Sequence, residues 1–220
     1  MRLRNFGKIK IEFLIRFILL MGILGLIPAL FQCQKHTPEE ESIIGFIEQH
    51  RQEKDHFFKN DPNSPLLPED KATFTGLKYY PIDLSLRFEG PLIRLDTTLI
   101  DTIRGTREGD LRPALRYGYF DFLYHGKRYR LVVYKMLRDN PQLEKYLFLG
   151  FTDETSGKET YGGGRYIDLI ENPNNYYVVD FNLAYNPYCA YNPRYTCAIP
   201  PSENHLPFPV TAGEKIYKEH

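Results

Sequence analysis

The strongest constraint on this chain is its punctuation. From residue 72 to residue 181, short runs rich in β-branched and aromatic residues alternate with turn signals, and no helical period intervenes. Leu84-Ser85-Leu86-Arg87-Phe88 alternates with period two and stops at Glu89-Gly90-Pro91. Residues 117–124, a His125-Gly126 turn and residues 128–136 read as the clearest hairpin. Residues 73–80, 92–103, 146–152 and 176–181 supply further short strands. Strands this short and closely spaced predict a mainly β fold, an antiparallel sandwich or a partly open barrel. The composition agrees, with 17 Tyr, 15 Phe and no Trp.

After Phe181 the text changes. Pro187, Pro193, Pro200, Pro201, Pro207 and Pro209 forbid a central strand, yet the segment is too apolar and aromatic for disorder. It is expected to wrap the β core as a long, ordered, Pro-rich coil. Upstream, one helix is expected within residues 34–58. Thr37 stands at its cap, Pro38 at its first position and Glu39 to Glu41 in its first turn, where the macrodipole favours acid. Ile43, Ile44, Ile47 and Arg51 then share one face.

The N-terminus reads as an address. Arg2, Arg4, Lys8, Lys10 and Arg16 form a basic segment before an apolar run at 17–31, which has the length of a signal-peptide h-region and is short for a membrane span. Residues 1–33 are therefore expected to direct export, as a cleaved signal or as a signal anchor. Cys33 follows at once and is the candidate lipidation site, although Gln32 stands where the strict lipoprotein pattern wants a small residue. The expected location is the cell envelope, with the membrane as partner through signal or lipid. Basic and acidic residues balance at 28 each, and no Lys/Arg cluster with interleaved rings lies beyond the signal, so nucleic acid is not an expected partner.

Several blocks carry a family resemblance: Phe151-Thr152-Asp153-Glu154-Thr155-Ser156-Gly157, Gly164-Arg165-Tyr166, Asp180-Phe181-Asn182, Tyr185-Asn186-Pro187-Tyr188-Cys189 and Pro200-Pro201. Together they resemble the uncharacterised prokaryotic family known as domain of unknown function 1684, over about residues 51–217. Ala198 departs from the family pattern, which usually has proline there. The resemblance implies kinship and no mechanism.

No catalytic signature stands out, and no cofactor or metal is expected. Cys189 and Cys197, close together across Asn-Pro turns, are read as a disulfide, with a metal pair or a reactive thiol as alternatives. Arg165 follows Gly162-Gly163-Gly164, where a guanidinium can fork onto an anionic ligand, or else ion-pair with Asp180 or Glu203. Asp180 and Asn182 share a strand face. With Tyr185, Tyr161 and Glu203 they complete the candidate ligand site, unless they satisfy the amides of the coil. The function expected is binding of a small ligand or an envelope partner. The alternatives are an envelope hydrolase using Asp153, Asp180 or Glu203 as acid and base, and a purely structural surface lipoprotein.

Overall fold

A computed structural model describes residues 36–95, 98–137 and 140–218. The targeting segment and Cys33 lie outside them. The account below concerns the compact unit that begins at Pro38.

The first helix, α1, runs Pro38–Asn60, with proline at its start and three glutamates in its first turn. It buries only Ile47 and Phe58, so its apolar stripe is narrow and its packing lateral. Arg51 fixes it to the body by donating to the Tyr80 carbonyl at 3.0 Å. Phe58 meets Tyr191 edge-on at 4.9 Å.

Eight strands follow: β1 Arg87–Arg94, β2 Ile100–Arg104, β3 Leu111–Tyr124, β4 Lys127–Met136, β5 Tyr146–Asp153, β6 Arg165–Ile170, β7 Tyr176–Asp180 and β8 His205–Leu206. One sheet runs β6-β5-β4-β3-β1-β7, with β2 beside β3 and β8 beside β5. The strands are antiparallel except for β8, which lies parallel to β5. This is a nearly closed, barrel-like sheet, the second of the two architectures expected. The β3–β4 hairpin turns on His125 at φ 47° and Gly126 at φ 72°. Those left-handed values belong to the tight turn whose twist suits a two-residue hairpin.

The core lies on both sides of β4. Leu131 and Val133 join the barrel interior, where Phe120, Leu149, Phe151, Val179 and Phe181 pack. Val132 and Tyr134 face outward against Cys197 and Ala198 of the tail. Covered on both faces, β4 reads as a continuous apolar run and not as an alternation. The proline-rich tail is the expected ordered coil, and Asn204 shows how it is held. Its amide accepts from Val132 N at 2.7 Å and donates to the carbonyls of Val132 and Gly150 at 2.9 and 2.8 Å. That one side chain satisfies backbone groups between β4 and β5.

Three expectations are corrected. Residues 73–80 are not a strand: Pro68–Thr73 forms a short helix, α2, and Tyr79 makes only an isolated bridge to Glu214. Leu84–Leu86 is a 3₁₀ turn because the Asp83 carboxylate accepts the Ser85 amide at 2.9 Å, so β1 begins at Arg87. Strand β6 was not anticipated. Gly164, at φ 84°, hid it: a Cβ there would lie 2.6 Å from the Phe151 carbonyl, and the turn it makes leads straight into the strand.

Candidate functional site

Arg165 is the largest fully buried side chain, at 0% exposure. It opens β6, where alternation points it inward with Ile167 and Leu169. Its guanidinium donates to Asp153 at 3.0 Å, to the carbonyl of Val210 at 2.8 Å, to that of Glu214 at 3.2 Å and to that of Ala212. Asp153 is itself 2% exposed and accepts from the Thr155 amide at 2.8 Å and the Val210 amide at 3.2 Å. Burial pushes the guanidinium below its ordinary value, and the Asp153 charge opposes that shift. This is a sealed ion pair that pins the tail to the barrel. It corrects the expectation that Arg165 meets a ligand, because a side chain without solvent access has no face to offer one. Its carboxylate partner is Asp153, not Asp180 or Glu203.

The other candidates disperse. Asn182 is 1% exposed and exchanges hydrogen bonds with the Asp83 backbone, 2.8 Å each way. Asp180 caps the following 3₁₀ turn by accepting the Asn182 amide at 2.9 Å. Burial raises its pKa, against the hydrogen bonds from Asn182. Glu203 sits elsewhere, paired with Arg116 at 2.6 and 2.8 Å and with the Tyr134 hydroxyl at 2.7 Å. The Arg116 hydrogen bonds hold its pKa below the ordinary value. Tyr161 packs by the cluster of Phe58, Leu66 and Phe74, with its hydroxyl 3.6 Å from Cys189 Sγ. The carboxylates proposed for acid–base work, Asp153, Asp180 and Glu203, thus serve three separate networks.

The expected disulfide is not shown: Cys189 and Cys197 stand as free thiols. Their loop closes by a different contact, the Cys189 amide donating to Cys197 Sγ at 3.2 Å. A hydrogen bond from Cys197 lowers the Cys189 pKa and raises its own. Among the described residues no set of three or more His, Cys, Asp or Glu side chains is placed to hold a metal ion.

Of the candidate set, Tyr185 and Asp180 border an open site. A cleft of about 1210 Å³ lies between α1 and the outer surface of the sheet, lined from β5, β6, β7 and the start of the tail. Helix α1 presents Ile43, Phe46, His50, Lys54 and Phe57 to it, a stripe at helical spacing beside the one that packs on the body. From β6, Tyr166 and Asp168 face outward into the cleft, the opposite side from Arg165. Phe148 stands directly across from Asp168 in the β5–β6 register. Its ring meets Tyr166 edge-on at 4.8 Å, and Tyr166 meets Tyr185 edge-on at 5.8 Å. A main-chain bridge between Tyr166 and Tyr185, 2.9 and 3.0 Å, ties tail to strand and fixes these rings.

The polar groups of the cleft are few and converge. The Tyr185 hydroxyl donates to Asp168 Oδ1 at 2.8 Å. Burial raises the Asp168 pKa, while that hydrogen bond, Lys54 and His50 act against the rise. Lys54 Nζ pairs with the buried Glu214 at 2.6 Å and lies 4.3 Å from the centre of the Tyr185 ring. Burial, with Lys54 second, lowers the His50 pKa. Aromatic walls around a small convergent polar set are the usual make-up of a ligand cleft. The sequence contained the signal in Phe46, His50 and Lys54 at intervals of four. It is masked by the neighbouring stripe through Ile47 and Arg51, which is the one that packs.

Residues 72–215 match the model of a family described as Protein of unknown function (DUF1684). An uncharacterized protein from Haloarcula marismortui, solved in solution by NMR, is 32% identical and superposes with a TM-score of 0.63. The match covers 83% of this chain and 98% of that one. No curated protein matches.

Proposed function

The chain belongs to the DUF1684 family, and from that premise, which supplies no activity, we propose that it is an exported binding protein. Its ligand is a small molecule with an apolar body, seated between α1 and the β5–β6 face. The observation that carries this reading is the cleft itself: ring-lined walls with His50, Asp168 and Tyr185 gathered inside. Arg165, Asp153 and Asn182 are spent in buried networks and Glu203 in a pair with Arg116, while this cleft brings polar groups to open space.

Val178, on β7, lines the cleft and is 38% exposed, so a larger side chain there fills the cavity without entering the core. Small molecules that raise the melting temperature of the wild type are expected to lose that effect in Val178→Trp. Stabilisation that survives the plug moves the site elsewhere.

Export and anchoring rest on the basic segment, the apolar run and Cys33. Metabolic labelling with a radiolabelled fatty acid tests the anchor. Label on the wild type and none on Cys33→Ala supports it, and equal labelling removes Cys33 from that role.

A further inference from the structure

The charges that line the cleft do not balance. Its cationic walls are Lys54, Arg87 and Arg112, and each already has a carboxylate. Lys54 pairs with Glu214 at 2.6 Å, Arg87 approaches Asp180 at 3.5 Å and also pairs with Glu89, and Arg112 grips Asp110 at 3.0 and 2.7 Å. Asp168 stands apart. Among the described residues it forms no ion pair, and its one hydrogen bond comes from a neutral phenol, Tyr185. It is nonetheless exposed to the cleft and flanked by Phe148 across the strand pair and by Tyr185 from the tail.

A carboxylate in an aromatic setting without a paired counter-charge can supply half of an ion pair, and the rings are the other half of a cation site. Phenyl and phenol faces carry negative quadrupole density that attracts organic cations, above all where water is scarce. Lys54, which also faces Asp168, is neutralised by Glu214, and it already demonstrates ammonium over ring by resting on Tyr185. His50 is held toward its uncharged form by burial. Glu53, at the helix side of the cleft, adds a second negative group.

We propose that the ligand of this cleft is an organic cation, an amine or quaternary ammonium on an apolar body, anchored by the Asp168 carboxylate among the rings of Phe148, Tyr166 and Tyr185. The inference rests on the reading of the cleft as a binding site and adds the charge class of what it binds.

Calorimetric titration of the full chain with three probes of common ring and differing head group tests it: phenethyltrimethylammonium, phenylpropanol and phenylpropionate. The cation is expected to bind about tenfold more tightly than the alcohol, the scale of a partly desolvated cation–ring contact. That preference should vanish in Asp168→Asn and return in Asp168→Glu, while all three probes lose binding in Val178→Trp. Equal binding of cation and alcohol, a preference for phenylpropionate, or a cation preference that persists in Asp168→Asn overturns the inference and leaves the cleft reading standing. Failure of all three probes, or binding untouched by Val178→Trp, overturns both.

Discussion

Arg165 and Asp168 lie three positions apart on β6, and they represent two ways for a protein to keep a charge. Arg165 points into the end of the barrel, at 0% exposure, with a carboxylate and three carbonyls around its guanidinium. Asp168 points outward into the cleft, with one phenol as its hydrogen-bond partner. The odd spacing decides it, since neighbours separated by an odd number along a strand face opposite sides. A buried charge must be answered inside the fold, and here Asp153 and three carbonyls answer both terminal nitrogens although Nε has no partner, so the Arg165 network is a structural clamp. Partial burial beside open space leaves a group whose compensation can come from a ligand.

The contrast breaks most visibly at Asp153. Asp153→Ala leaves the buried guanidinium uncompensated and should cost about 3–5 kcal/mol in denaturant unfolding; a loss under about 1 kcal/mol would mean that Arg165 is not sealed. Lys54→Met comes next. It strands the Glu214 carboxylate, 1% exposed, and should cost roughly 2 kcal/mol by the same measurement. Glu203→Ala should cost less than about 1 kcal/mol, because its pair with Arg116 is solvent-accessible and screened. An effect as large as that of Asp153→Ala would place Glu203 with the clamps.

The smallest effect is the most diagnostic, since it has the opposite sign. Burial holds the folded Asp168 pKa above its unfolded value. Its contribution to stability is therefore complete below the unfolded carboxylate range and is lost as pH rises through the folded value. Asp168→Asn removes that loss. The variant should melt slightly higher than the wild type at neutral pH, and the gain should fade on acidification below the carboxylate range. A lower melting temperature at neutral pH would show that Asp168 is already compensated within the fold, as Arg165 is.

Much of the fold was legible beforehand because it rests on local rules. The β3–β4 hairpin announced itself through His125-Gly126, and α1 through Pro38 and its three glutamates. The ordered tail followed from prolines among rings. Strand β6 was missed because the glycines before it read as more turn, although Tyr166-Ile167-Asp168-Leu169 alternates once its first residue is fixed. The candidate site fared worse. Arg165, Asp180, Asn182 and Glu203 are polar residues that an irregular coil consumes in satisfying backbone and countering charge, which composition alone does not distinguish from a pocket. Tyr185 and Asp180 were the candidates carried to the cleft, and Asp180 is spent there on Asn182 and Arg87.

By itself, the sequence determined the fold class, the hairpin, the helix start and the family, because period, turn chemistry and proline act within a few residues of the chain. Tertiary structure decided which charges are answered. Asp153 and the carbonyls of residues 210–214 reach Arg165 from distant parts of the chain, while α1 stands off from β6 far enough to leave Asp168 facing space. Burial and pairing depend on three-dimensional proximity, and electrostatic cost depends on both.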